Sequence, residues 1–312
     1  MNTGLVADQF RKELINRLLL PISIACPVPS LKLLKTMKHT ITLLAGLFMF
    51  CSLPVQGQEF GIYGGLSFYE GELAPLEIPT YIETLRPAFG VFGRANVNDY
   101  IAFRLGFNRL TLMGDDELRG TPQGRRSFET DINELYLNLE ITPFYLSLFK
   151  GGMTVGPYLY GGGAFFTFNP TRTWNGQRVE LQPLGTEAQG QPGYSAPYDL
   201  QGFALIAGGG VKWLIDERWT LSAEYGGRKT FTDHLDDLSS TPVVYRDVLQ
   251  NGDLAAELSN PGLNPDTADP NYTYRRGGPN PDWYFTGGLT LSYLFGGGGG
   301  GGGGKTVKCY EF

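Results

Sequence analysis

A two-residue hydrophobic alternation, recurring from Glu59 to Phe295, constrains this chain more than any other feature. In residues 283–295, Trp283, Phe285, Gly287, Leu289, Leu291, Tyr293 and Phe295 share one face, opposite Thr286, Gly288, Thr290 and Ser292. Residues 219–231 repeat the pattern, with Trp219, Leu221, Ala223, Tyr225 and Phe231 opposite Ser222, Glu224, Gly226, Arg228 and Thr230. Successive side chains of a strand point to opposite faces, so this period predicts half-buried strands. Segments 59–68, 86–96, 99–112, 131–142, 155–168 and 201–214 read the same way. That makes eight, the strand number of the smallest bacterial outer-membrane barrels. The fold class expected is all-β: an eight-stranded antiparallel transmembrane β-barrel over 58–295.

The connections alternate in length. Short turns fall at Asn96–Asp99 and Ile215–Arg218, with a moderate one at Pro143–Thr154, whereas long polar connections fall at 69–85, 113–130, 169–200 and 232–282. Short periplasmic turns and long external loops are the asymmetry of outer-membrane barrels, and an even strand number puts both termini in the periplasm. The last connection, rich in Asn, Pro, Asp and Gly, is expected to be mobile.

Alternation does not say which face points inward, because a soluble eight-stranded ligand-binding barrel is equally periodic with its apolar side inside. Three observations favour the membrane. Aromatic residues sit at both ends of the apolar face, where interfacial girdles belong. The polar face mixes Ser, Thr and Gly with Arg104, Glu134, Glu140, Glu224 and Arg228. The last strand ends in Leu294-Phe295, like the aromatic-terminated assembly signal of outer-membrane barrels. With 18% charged residues, 13% aromatics and a mean hydropathy of −0.15, the composition is not that of a helical membrane bundle. A net charge of −6 argues against broad nucleic-acid binding. An eight-stranded lumen is filled by side chains, so the five inward charges are expected to form a paired structural network.

Ahead of the barrel, Met37-Lys38-His39, the apolar run Ile41 to Leu53 and Val55-Gln56-Gly57 read as a secretory signal peptide over 37–57. Phe50 is too bulky for lipoprotein processing at Cys51, and cleavage is expected near Gly57. Residues 1–36 are expected to be an upstream extension. Cleavage removes Cys26 and Cys51, leaving Cys309 as the lone thiol of the mature chain. Residues 296–312 form a glycine-rich linker and periplasmic tail, whose nine glycines reach roughly 15–18 Å. Lys305, Lys308, Cys309, Tyr310 and Phe312 then offer charge, a thiol and aromatic anchors to a partner.

Other motifs mislead. Gly299 to Thr306 matches a phosphate-binding loop in form, but too few residues follow it for the helix that such a site needs. The triplets Gly161–Gly163 and Gly208–Gly210 lie inside strands, where glycine permits close packing. Asp233, His234, Asp236 and Asp237 cluster at an external strand end. A Ser-His-acid lipid hydrolase would use His234 with Ser239 or Ser240; a loop-anchoring hydrogen-bond cluster is the simpler reading. The spacing fits no EF-hand. No cofactor, metal or catalytic residue is assigned.

The stretches Gly64 to Leu73, Leu181 to Glu187 and Thr230 to Asp237, with Asp282-Trp283-Tyr284 and Cys309, resemble PorG-type outer-membrane proteins of the Bacteroidota type IX secretion system. His234 stands where an aromatic such as Tyr is expected. The resemblance implies a non-catalytic barrel that anchors or organises a periplasmic ring made of a lipoprotein and a partner subunit, in secretion and gliding motility. A general adhesion or stability barrel using its external loops, and a lipid-modifying enzyme, are the alternatives.

Overall fold

The computed structural model describes residues 57–121, 125–147, 154–264, 266–278 and 281–295. The upstream extension, the signal peptide apart from Gly57, the glycine run with its phosphate-loop look-alike, and the tail carrying Lys305 to Phe312 lie outside the described residues. In chain order the elements are β1 (Gly57–Glu70), α1 (Ile78–Thr84), β2 (Arg86–Asn96), β3 (Ile101–Asp115), α2 (Asp116–Arg119), β4 (Ser127–Ile141), β5 (Leu146–Ser147), β6 (Thr154–Trp174) and β7 (Gln177–Glu180). Then come β8 (Gln201–Leu214), β9 (Trp219–Thr230), β10 (Pro242–Val244), α3 (Tyr245–Leu249), α4 (Asp253–Ser259), β11 (Thr273–Arg275) and β12 (Trp283–Phe295).

Eight strands close into a barrel in the order β1-β2-β3-β4-β6-β8-β9-β12, every pairing antiparallel. Closure is between the first and last strands, in register from Gln58↔Phe295 to Glu70↔Trp283. It satisfies the backbone of all eight strands and leaves no barrel edge, which a strand in lipid requires.

The alternation resolves as an inverted barrel. The outward row of β1 carries Phe60, Ile62 and Leu66; β4 carries Leu135, Leu137 and Leu139; β6 and β8 carry Leu159, Phe203 and Leu205, all exposed. The inward row is buried, with polar and aromatic side chains through most of the lumen and aliphatic ones such as Leu110, Leu112 and Ile132 toward the long loops. A soluble barrel would hide its apolar side chains, so this exposed belt is the lipid-facing surface of a transmembrane barrel. Aromatic pairs mark its two rims. Tyr293 packs on Trp219 and Phe295 at the short-turn end, with centroids 4.9 and 4.8 Å apart, and Phe68 stacks on Phe285 at 5.2 Å near the long loops.

Strands β3, β4 and β6 run further toward the long loops than the alternation suggests. The β3–β4 ladder continues to Asp115↔Ser127. Strand β6 reaches Trp174 and returns as β7 through Asn175 (φ 48°) and Gly176 (φ 77°). Two central residues with positive φ make the tight hairpin turn for which Asn-Gly is suited. The connection 232–282 also differs from the mobile loop expected of it. Strands β10 and β11 pair, and Val243, Tyr245, Val248, Ala255 and Ala256 form a buried cluster with Ala188 from the preceding loop. Burial of these apolar side chains is the driving force for ordering a segment whose overall composition is polar.

The main core links barrel and loops. Leu110, Leu112, Phe128, Ile132, Phe166 and Tyr284 from the upper lumen pack with Leu73, Leu181, Leu235, Leu238 and Leu258 from the loops. These leucines form an apolar cap over the long-loop end of the barrel.

Candidate functional site: a charged lumen beneath a loop cap

The lumen carries its charge in two groups. Toward the short-turn end, Glu140 is ion-paired with three cations, Arg94 Nε at 3.0 Å, Arg104 Nε at 2.9 Å and Lys212 Nζ at 2.7 Å, and Lys212 donates a hydrogen bond to it. Arg94 also reaches Glu59 at 2.6 Å, and Arg104 reaches Glu224 at 2.7 Å. The Tyr158 hydroxyl donates to Glu224 at 2.6 Å. Above them, Glu134 accepts from Arg228 Nε at 3.1 Å, the Tyr284 hydroxyl at 2.7 Å and Asn108 Nδ2 at 2.8 Å. Aromatic faces fill the remaining space: the Arg104 guanidinium lies 5.3 Å from the Phe92 ring and 5.1 Å from that of Tyr160.

All five charged residues picked out from the sequence therefore point inward, Arg104 pairing with Glu140 and Glu224 in one group and Arg228 with Glu134 in the other. The sequence reading missed Glu59, Arg94 and Lys212, each on the inward parity of its strand: Glu59 with Tyr63, Arg94 with Ala88 and Phe92, Lys212 with Ala204 and Ile206. With them the lumen sets Arg94, Arg104, Lys212 and Arg228 against Glu59, Glu134, Glu140 and Glu224, and the charge balances. Buried charges persist only when so compensated.

Asp233, His234, Asp236 and Asp237 separate into distinct roles within the cap. Asp237, in the left-handed region at φ 64°, accepts from Arg276 Nη1 at 2.9 Å and from the Tyr198 hydroxyl at 2.7 Å. His234 stacks on the Tyr198 ring, centroids 4.3 Å apart and planes 9° from parallel, and burial lowers its pKa. Ser239 Oγ donates to Glu187 at 2.6 Å, and His234 Nδ1 is buried without a partner. Serine, histidine and acid are thus not linked as a hydrolase would need.

Asp236 joins Asp282, which precedes β12. Both carboxylates meet the single Tyr69 hydroxyl, at 2.6 and 2.7 Å, with Glu72 3.5 Å from it. A hydroxyl has one proton to donate, so the second short contact requires a proton on one of the acids. Burial raises the pKa of Asp236 well above the carboxylate range and pushes that of Asp282 up to about 8; burial also raises Asp233 to about 7. Glu72, Asp236 and Asp282 have oxygens within 4.8 Å of one another and could approach a cation. Their oxygens already accept backbone N–H groups, of Leu238 at 2.9 Å, Leu235 at 2.9 Å and Gly278 at 2.8 Å. The cluster therefore serves as a staple joining β1, the approach to β12 and the loop cap.

A family model described as a domain of unknown function (DUF6089) matches residues 38–257. No curated protein matches the sequence significantly. Among solved structures, the chain is similar to the N-terminal β-barrel domain of Pseudomonas aeruginosa OprF, with 12% identity, 77% of this chain and 99% of that chain covered and a TM-score of 0.33. Similarity to Neisserial surface protein A is at 9% identity, 76% and 97% coverage and a TM-score of 0.39. The outer membrane protein OprG from Pseudomonas aeruginosa matches at 12% identity, 77% and 99% coverage and a TM-score of 0.35.

Proposed function

The chain belongs to this family of domains of unknown function, DUF6089, and we propose that it is a non-catalytic outer-membrane barrel that anchors or organises the periplasmic ring of a type IX secretion system. The observation that carries the non-conducting, non-catalytic part is the lumen itself. Four cations and four carboxylates neutralise one another there, beneath an apolar cap. Such an interior leaves no route for a folded cargo, and among the described residues of the cap Ser239 donates to Glu187 and is not joined to His234. What remains to act on other molecules is surface. On this reading the long loops face outward, and the short turns and both chain termini face the periplasm.

The ring is the partner suggested by the resemblance in Gly64 to Leu73, Leu181 to Glu187 and Thr230 to Asp237. Lys305, Lys308, Cys309, Tyr310 and Phe312, tethered by the glycine run, are its proposed contact, with Cys309 docking on, or disulfide-bonded to, a ring subunit. The test is crosslinking in native membranes followed by identification of what copurifies with a tagged chain. Recovery of a periplasmic lipoprotein and its partner, lost on deleting Lys305–Phe312, is the expected result. An intact barrel with no periplasmic partner would overturn the anchoring role and move the function to the ordered external cap. Non-reducing gels of wild type and Cys309→Ser test the disulfide separately.

A further inference from the structure

The apolar belt is interrupted on the outer face of β8, β9 and β12 by a groove of about 540 Å³ in the half nearest the long loops. Ala207, Gly209 and Gly227 make its floor, so almost nothing projects from the sheet there. The bare floor lets aromatic rings lie along the barrel. A Cβ at Gly227 would stand 2.7 Å from the Phe285 ring. Phe285 is nearly parallel to Tyr225 at 5.8 Å and 13°, and to Trp283 at 6.3 Å and 15°. Together they form one wall. Phe68 stacks behind Phe285, and Tyr81 of α1 packs edge-on against Phe68 at 5.8 Å.

Charge enters at one point. Lys229 lies on the lipid-facing row, paired in register with Leu205 and Trp283 beside the top of the groove. Its ammonium is 5.6 Å from the Trp283 ring, and no carboxylate among the described residues forms a salt bridge with it. Glu70, the next residue along the same row, accepts instead from the Tyr81 hydroxyl at 2.6 Å. Helix α1 therefore holds the neighbouring carboxylate, while Leu76 just before the helix and Ile78 and Ile82 within it are 71%, 81% and 66% exposed at the level of the rim. An exposed apolar helix beside a lipid-facing belt is suited to the headgroup boundary.

We propose that this groove is a binding site for one net-anionic phospholipid-type lipid of the leaflet at the long-loop end. An acyl chain lies along the glycine floor against the Tyr225–Phe285 wall, and the headgroup phosphate meets Lys229. An uncharged groove would accept any chain; Lys229 supplies the headgroup preference. The site rests on the barrel spanning a bilayer and is independent of any ring partner.

The test uses the full-length mature chain with Trp174, Trp213 and Trp219 changed to Phe, so that Trp283 reports alone. It is folded into phosphatidylcholine vesicles containing either brominated phosphatidylcholine or brominated phosphatidylglycerol at equal mole fraction. Quenching of Trp283 should show a roughly five-fold preference for phosphatidylglycerol, the selectivity of about one cation near an anionic headgroup. Lys229→Gln should abolish the preference, and Ala207→Phe, which fills the groove, should weaken quenching by both lipids. Equal quenching by the two headgroups in the parent, or a preference that survives Lys229→Gln, overturns the site. Absence of quenching by either lipid would overturn the membrane-spanning barrel as well. If the single-tryptophan chain does not insert, the wild type and Lys229→Gln decide the matter with spin-labelled forms of the same two lipids: an immobilised anionic lipid lost in the variant is expected, and identical spectra overturn the proposal.

Discussion

Glu140 is ion-paired with Arg94, Arg104 and Lys212 at once, so its removal differs in kind from the loss of one surface ion pair. Glu140→Ala leaves three buried cations facing one another, and the expected cost is about 3–5 kcal/mol, the range for breaking a buried charge pair. Urea unfolding of the barrel in lipid vesicles measures it, and a loss below about 1 kcal/mol, as for an exposed pair, would contradict the geometry. Glu140→Gln, which keeps the shape and one acceptor, should lose less. A second prediction concerns Asp282. Its folded pKa of about 8 lies above the ordinary 3.8, so the folded form holds a proton that the unfolded chain releases. The stabilisation is complete below the unfolded value, declines as pH rises from about 4 toward 8, and is gone above the folded value. Proteolytic opening of the cap at Arg275 or Arg276 should therefore become faster across that interval. Asp282→Asn, whose amide can donate to the Tyr69 oxygen while its carbonyl keeps the Leu235 N–H, should flatten the dependence; an unchanged slope would refute the shared proton. At this scale Arg104 and Glu140 lie on the buried parity of their strands, and the same parity applied to Glu59, Arg94 and Lys212 would have completed the lumen. The staple was legible only in part, because Tyr69, Asp236 and Asp282 are brought together across separations of 167 and 213 residues that no local pattern encodes.

Within the strands, glycine fixes how the barrel interior is filled. Tyr160 of β6 lies along the inner wall over the neighbouring β8 and β9, where a Cβ at Gly208 would stand 2.4 Å from its ring and one at Gly226 would stand 2.3 Å from its hydroxyl oxygen. Gly226→Ala should cost about 1–3 kcal/mol as an overpacked substitution. Because the hydroxyl is the nearest atom, Tyr160→Phe in the same chain should recover part of that loss; a double variant as unstable as the sum of the singles would show that the backbone is what fails to give. Unfolding of the four members of the cycle supplies the coupling. Strand positions were readable from the sequence because outward apolar or small residues alternate with inward ones along each strand, as in 86–96, 201–214 and 283–295, whose observed limits coincide with those expected. The ends of β3, β4 and β6 were not, since above the membrane the outward row becomes polar (Glu129, Asp131, Asn169) and the contrast between faces fades. The Asn175-Gly176 turn was the local signal there. The fold of 232–282 depends instead on Val243, Val248 and Ala255 finding Ala188, and on Arg276 reaching Asp237, contacts between segments with no shared period.

At the scale of the whole molecule, the question is whether a barrel with eight charged groups inside it conducts. Polarity alone would suggest a channel, but size and pairing oppose it. Eight strands leave an interior that side chains fill, and here Arg94, Arg104, Lys212 and Arg228 are each engaged with carboxylates while Phe92, Tyr136, Tyr158 and Tyr160 occupy the space between them. A second obstruction sits above, where Leu73, Leu235, Leu238 and Leu258 close over the upper lumen. The two obstructions make separable predictions in planar bilayers at neutral pH and moderate salt. Wild type should give no stepwise current. Leu235→Ser with Leu238→Ser, which loosens the cap and leaves the ion pairs in place, should give none either, because the lower group still fills the barrel. Arg104→Ala with Glu224→Ala removes one complete pair along with its volume, so Arg94, Lys212, Glu59 and Glu140 remain to balance one another. Any current should appear first when this lower change is combined with the cap change. Stepwise channels in the wild type would show that the network moves aside and would turn the barrel from an anchor into a gate, whereas silence in all but the combined variant would place the barrel's work on its outer surfaces.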